Sequence, residues 1–232
     1  ASFNVISDGR ALLGFGYATF RRNSSGTWGP AQSINVAGFD LADQTSADID
    51  ASGRGYYLIH AFVAGVPGIY LSTSSQTGGW STPRHMLDLD GLNFGVRVTG
   101  SSSGRAMISG SDNTATMRAT VTRDGGSTWG TLANFGRGGI QSSAVGSENG
   151  LYAISWSGSA TGTGASLVAG SGAGTVPWVQ TSLGSLVQSP PPAIAIAGKP
   201  DSSSAKSVAG WQSQSSATFS YIISGSIGTV GR

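Results

Sequence analysis

Thr122-Arg123-Asp124-Gly125-Gly126-Ser127-Thr128-Trp129 is the stretch on which the reading of this chain turns. Asp124 stands where it accepts hydrogen bonds from the backbone N–H groups of the turn that follows it. Gly125 and Gly126 supply the positive φ of a tight hairpin. Trp129 then opens the next strand with a large apolar surface that has to be buried. A device of this kind speaks about fold before it speaks about chemistry.

The stretch echoes along the chain. Arg21–Trp28 puts Asn23 in the place of Asp124, Thr73–Trp80 puts Ser75 there, and Ser171–Trp178 puts Ala173 there. The four tryptophans lie 52, 49 and 49 residues apart. A period of 40–50 residues marks propellers and solenoids. A fifth strand-like segment, Thr218–Ser224, ends where another such stretch would begin. Recurrence at one hairpin position is what packing between repeated units demands, so Trp28, Trp80, Trp129 and Trp178 are expected in the core.

Each repeat offers about four short β-prone runs separated by Gly-rich turns. Asp8-Gly9, Gly53-Arg54-Gly55, Val66-Pro67-Gly68, Ser103-Gly104 and Asn149-Gly150 read as turns, and no long helix-period segment appears. The expected fold is all-β, a β-propeller of five blades, each a four-stranded antiparallel sheet. Residues 1–232 form one domain, with repeats at about 2–36, 47–90, 96–136, 143–185 and 193–232. Pro190–Pro192 read as a connection between blades. The first blade is short by two strands. It is completed by a strand lent from Ser226–Arg232, or else the chain is part of a larger ring.

Composition narrows the function. Only 10% of residues are charged, the net charge is +2, and no Lys/Arg cluster exceeds Arg21-Arg22. Nucleic-acid binding is disfavoured on those grounds. The absence of cysteine excludes disulfides, thiolate metal sites and a Cys nucleophile. No apolar run reaches the length of a membrane span, so insertion into a membrane is not expected. Low charge, many hydroxyls and no cysteine fit a secreted or virion-surface protein.

The Thr122–Trp129 stretch resembles the Asp-box (BNR repeat) of sialidase-like and lectin-like β-propellers, with Thr122, Asp124, Gly126, Thr128 and Trp129 carrying the match. The resemblance implies a propeller that is either a glycosidase or a binding module. The enzymes of that family use three arginines, a Tyr–Glu pair and an Asp, and the first arginine sits in an F-R-I-P-like segment. Here the nearest string is Phe20-Arg21-Arg22-Asn23, and the one glutamate, Glu148, falls in a turn.

Glycoside hydrolysis otherwise needs two positioned carboxylates. Asp48 and Asp50 share one face of a strand, where they bind a cation, raise each other's pKa or face tunnel water. Asp88-Leu89-Asp90-Gly91 is a loop with too few oxygens for a Ca²⁺ site. His60 and His85 belong to no metal-binding spacing, and no G-x-S-x-G elbow or dinucleotide fingerprint is present. No catalytic set, metal or cofactor is therefore expected.

Aromatic side chains remain. Trp156 and Trp211 each end the second strand of their repeat, whereas Ser109-Gly110 occupies the corresponding place in the third. That irregularity points to the rim, where indoles stack on sugars. Trp156, Trp211, His60 and Phe62 are the candidate ligand-binding residues, and a glycan or polysaccharide is the expected partner. The expected function is a non-catalytic, lectin-like propeller outside the cell or on a virion, with oligomers or a larger surface assembly in reach. A sialidase-like hydrolase and a structural spike or fibre module are the alternatives.

Overall fold

The computed structural model describes residues 1–137, 141–146, 150, 152–157, 164–170, 178–185, 196–198, 207–212, 219–223 and 226–230. Their backbone forms five four-stranded antiparallel sheets, each built from strands consecutive in the chain. The first holds β1 (Ser2–Val5), β2 (Ala11–Phe15), β3 (Ala18–Arg22) and β4 (Gln32–Ser33). The second holds β5 (Leu41–Ile49), β6 (Gly55–Val63), β7 (Val66–Ser74) and β8 (Arg84–His85), and the third β9 (Leu92–Gly100), β10 (Ala106–Asp112), β11 (Thr116–Thr122) and β12 (Ala133–Arg137). The fourth holds β13 (Gln141–Gly146), β14 (Tyr152–Ser157), β15 (Gly164–Gly170) and β16 (Val179–Ser185). The fifth holds β17 (Ile196–Gly198), β18 (Ser207–Gln212), β19 (Phe219–Ile223) and β20 (Ser226–Val230). Among the described residues the one helical turn is a 3₁₀ segment at Leu87–Leu89.

The first strands β1, β5, β9, β13 and β17 follow one another in contact, so each sheet packs on the next. Both faces of the middle sheets are therefore buried, and strict inside–outside alternation is replaced by two apolar faces. The second strand of each sheet shows the rule. Its odd positions face the preceding sheet and its even positions the following one. In β6, Tyr57, Ile59 and Ala61 join Leu12 of the first sheet in one cluster. Tyr56 and Leu58 join Val96, Val98, Ala106 and Ile108 of the third sheet in another. Met107 of β10 meets Tyr152, Ile154 and Trp156 of β14 in a third. The core lies between sheets, and each fully buried aliphatic there contributes about 1.5–3 kcal/mol.

Four turns of one build join the first and second strands. Gly9, Gly53, Gly104 and Gly150 all have positive φ, between 72° and 94°, which glycine adopts without steric cost. Neighbouring turns are tied to each other. Arg10 donates to the carbonyls of Ser52 and Ala51 at 2.7 and 3.0 Å. Ala51 N–H donates to Ser101 O at 2.8 Å, and Gly104 N–H to Asp50 Oδ2 at 2.9 Å. Arg54 lies against Gly125, and Arg105 against Gly150.

Several expectations are corrected. Trp28, Trp80 and Trp129 do not open strands. Trp28 and Trp80 make single bridges to Arg22 and Ser74, and the outer strands start later, at Gln32 and Arg84. Pro30 and Pro83 intervene, and proline has no N–H for a ladder. After Trp129 the strand resumes at Ala133. The turn expected at Val66-Pro67-Gly68 sits at Ala64-Gly65, whose φ values are 51° and 76°, and Pro67 pairs with Phe62 within the hairpin. The first sheet is complete within Ser2–Ser33, while β20 pairs with β19 and lends no strand to it.

Candidate functional site

The Thr122–Trp129 turn is a closed network. Thr128 donates from its N–H to both Asp124 oxygens, at 2.9 and 3.0 Å, and from Oγ1 to Oδ2 at 2.6 Å. Thr122 Oγ1 donates to Asp124 Oδ1 at 2.8 Å and accepts from Gly126 N–H at 3.0 Å. These donors hold the Asp124 carboxyl well below the usual carboxylate range, the Thr128 hydroxyl foremost. In the first sheet Asn23 accepts from Thr27 N–H at 2.9 Å and Ser25 Oγ at 2.7 Å, and in the second Ser75 Oγ accepts from Gly78 N–H at 2.9 Å.

Trp80, Trp129 and Trp178 are half-buried against the sheet before their own. Trp80 donates its indole N–H to Thr19 at 2.7 Å, and the Arg21 guanidinium lies 5.5 Å above its ring. Trp28 departs from the expected core placement, being 44% exposed.

Other expected site residues are placed as follows. Trp156 is wholly buried, near-parallel to Phe135 at 6.3 Å and packed among Met107, Met117 and Ile154. The reading of it as a rim residue is corrected. Bulk at a junction is shared between facing sheets, so Gly110 in one unit does not mark the position as exposed in another. Trp211 pairs with Ser220 in β18, and its side chain lies outside the described residues. His60 is buried on β6, with its ring edge-on to half-buried Phe62 at 6.0 Å. Glu148 lies outside the described residues.

Asp48 and Asp50 do not face tunnel water. Asp50 accepts from Ser52 N–H, Ser52 Oγ, Arg54 N–H and Tyr56 Oη, which caps its turn. Asp48 accepts from Asn4 of the first sheet, from its neighbour Ile49 N–H and, at 2.9 Å, from Gly100 N–H of the third sheet. Burial pushes Asp48 up to about 7, against those three donors and with Asp50 adding to the rise. Asp112 caps the next hairpin, accepting from Thr114 and Thr116 N–H groups, and is bridged to Arg118 at 2.7 Å. Carboxylates here hold turns and sheets together.

Two of the clefts among the described residues lie between sheets. One, of about 230 Å³ between the first and second sheets, gathers Arg10, Arg21, Arg22 and Trp28. Sequence inspection sees Arg21-Arg22 alone, because Arg10 joins them across the sheet. The guanidiniums bond main-chain oxygens: Arg10 reaches the next turn, Arg21 reaches Gly53 O at 2.8 Å and Arg22 reaches Gly9 O at 2.7 Å. That is a scaffold.

The other cleft is about 560 Å³ and lies between the outer edge of the second sheet and the third sheet. Its lining includes Trp129, Leu87, Arg84, Asp88, Ser127 and Thr131. Leu87 is exposed, and the Trp129 indole N–H is shielded from water with no acceptor among the described residues. Arg84 is held by the carbonyls of Ser127 and Gly126 at 3.0 and 2.7 Å. Behind it His85 bonds Asp90 at 2.8 Å and stacks on Tyr70, with ring centroids 4.7 Å apart. Asp88 is exposed and bonds no described residue. An apolar platform with a fixed cation and exposed hydroxyls suits a polar ligand with a flat apolar face.

No family profile matches the chain, and no curated protein is similar to it. Solved structures are. A Hadza microbial sialidase matches with a TM-score of 0.54 at 12% identity, over 91% of this chain and 50% of its own. The GH93 α-L-arabinofuranosidase of Fusarium graminearum, bound to arabinobiose, matches at 0.52 and 11% identity, over 100% and 80%. The fucoside-bound lectin of Aleuria aurantia matches at 0.53 and 14%, over 100% and 78%. The fold is a β-propeller. The chain spans about half the length of the sialidase, and identities this low speak for the fold alone. Trp156 was misplaced by sequence reading, and the Trp129–Arg84 cleft was missed.

Proposed function

We propose that the chain is a non-catalytic, carbohydrate-binding β-propeller of the Asp-box type, displayed outside the cell or on a virus particle. Its repeats at about 2–36, 47–90, 96–136, 143–185 and 193–232 are the blades of one domain. The observation that carries this reading is the 560 Å³ cleft in which the Trp129 and Leu87 surfaces adjoin Arg84, Asp88, Ser127 and Thr131. A pyranose presents the same pairing, an apolar C–H face and a rim of hydroxyls. The sugar ligands of two of the similar structures support the assignment.

A sialidase-like hydrolase is less well supported. Asp88 is the only carboxylate lining that cleft among the described residues, and general acid–base hydrolysis needs a partner for it. The test is a glycan array followed by retention on the best-binding sugar. Asp88→Ala and Thr131→Ala lose retention while melting as the wild type does. Binding that survives both substitutions removes the cleft from the reading, and turnover of a fluorogenic sialoside replaces it with the hydrolase.

A further inference from the structure

The cleft of about 230 Å³ between the first and second sheets is lined by Arg10, Arg21 and Arg22, together with Asn23, Gln76 and Thr77. Among the described residues no carboxylate lines it. Arg10 is bridged by Asp8 at 2.6 Å, from outside the lining. No acid among the described residues bonds Arg21 or Arg22. Three half-buried cations thus share one opening, and their bonds to main-chain oxygens fix them without neutralising them.

The repeat tells which of these cations the fold requires. Arg10 follows the turn glycine Gly9, as Arg54 follows Gly53 and Arg105 follows Gly104. Each of the three lies against a turn of the next sheet. Arg21 is different. In the register of the repeat tryptophans it stands level with Thr73, Thr122 and Ser171. Thr122 uses that place to close its turn, donating from Oγ1 to Asp124 and accepting from Gly126 N–H. The first sheet gives up that hydroxyl for a guanidinium and sets Arg22 beside it. A local rule broken in one unit of a repeat marks a functional site. The break also leaves charge unanswered. Arg21 Nε is shielded from water and bonds no described atom, and Arg22 Nη2 bonds none either. Burial, and then the charge of Arg10, push Arg21 down from its ordinary value, with Asp50 opposing. An anion in the cleft relieves both effects.

We propose that this cleft binds a tetrahedral oxyanion, a sulfate or phosphate group. Such a group presents oxygens in several directions and is shared among guanidiniums that come from different strands, whereas a carboxylate offers one fork to one arginine. The guanidiniums are already held, so little ordering is lost when the anion enters. A cleft lined by one sign of charge also concentrates the opposite ion. The group is a free anion or an ester on a larger molecule. The site lies at a different junction from the Trp129–Arg84 cleft and stands whether or not that cleft takes a sugar.

Isothermal calorimetry of the full chain with sodium sulfate, against sodium chloride at equal ionic strength, tests the site. Sulfate gives a saturable isotherm, phosphate competes for it, and chloride gives none. Gln76 is exposed, bonds no described residue and lies over Gly53 beside Arg10. Gln76→Glu therefore sets a carboxylate at the mouth without removing a bond, melts as the wild type does, and weakens sulfate binding about tenfold or more. Arg22→Gln weakens it likewise by removing a charge. Asp88→Ala, in the other cleft, leaves it unchanged. Chondroitin sulfate and its desulfated form distinguish the sources. Preference for the sulfated polymer over inorganic sulfate assigns the group to an ester on a glycan, and equal affinity assigns it to the free ion. A wild type that gives no saturable heat with sulfate or phosphate overturns the proposal, and so does a Gln76→Glu variant that binds sulfate as the wild type does.

Discussion

Gly100→Ala is the sharpest probe of how the sheets are held. Gly100 ends β9, and its backbone runs against the end of β5. A Cβ there would come within 2.5 Å of the Ile49 carbonyl carbon and 2.9 Å of Asp50 N, and nearer still to Ile49 O. Its φ is not positive, so the difficulty is space alone. The obstacle is backbone on both sides, which no side-chain rotation relieves. Overpacking of this kind costs about 1–3 kcal/mol. Moving β9 away also lengthens the 2.9 Å bond from Gly100 N–H to the buried Asp48, and leaving such an acceptor short of a donor costs about 1–3 kcal/mol more. A combined loss of about 4 kcal/mol lowers the melting midpoint by roughly 8–16 °C in a domain of this size. Gly91→Ala is the control, because its Cβ meets nothing within 4 Å. Calorimetry of the two variants at one pH decides the matter. A Gly100→Ala midpoint within about 2 °C of the control, which is the scatter of neutral surface changes, refutes the close approach.

Other outcomes follow from the packing and the charges. Trp80→Ala loses its bond to Thr19 and its edge contact with Tyr57, at 5.8 Å, and falls by about 3 kcal/mol in urea titration, whereas Trp28→Ala changes by less than about 1. Trp156→Ala destabilises by about 3–5 kcal/mol on the same assay, as a fully enclosed indole does, and a wild-type midpoint would return it to the surface. Asp124→Ala lowers the melting midpoint without changing glycan retention, and lost retention at an unchanged midpoint would make that turn a ligand site. Asp48 sets a pH slope. Its folded carboxyl keeps its proton up to about 7, while the unfolded one releases it near the ordinary aspartate value of 3.8. Between those values the unfolded state binds fewer protons, so stability falls as pH rises. The Asp48→Asn variant lacks that fall, and parallel pH profiles for the two proteins would contradict it.

Much of the architecture was legible because β-structure is written in local signals. Turn glycines, β-branched runs and a recurring tryptophan marked the hairpins. Strand starts after the tryptophans were not, since Pro30 and Pro83 delay pairing in a way the apolar pattern does not show. Trp156 was misread for a deeper reason. Its surroundings come from Met107 and Met117 on another sheet, and volume is conserved across a junction rather than at a position. Asp48 was read as open to a cation or to tunnel water because strand spacing put it on one face with Asp50. Only the fold reveals that Asn4 and Gly100, 44 and 52 residues away, already fill its oxygens. The Trp129 cleft was hidden because its walls, Arg84–Asp88 and Ser127–Thr131, come from different sheets.

The ties between neighbouring turns bear on how the chain comes to fold. Arg10 fastens the first sheet to the carbonyls of Ala51 and Ser52, Asp50 fastens the second to Gly104, and Arg105 lies on Gly150 of the fourth. Every tie reaches only the adjacent unit, about one repeat onward along the chain. Order therefore spreads as it does along a row of coupled elements, each ordered neighbour lowering the barrier for the next.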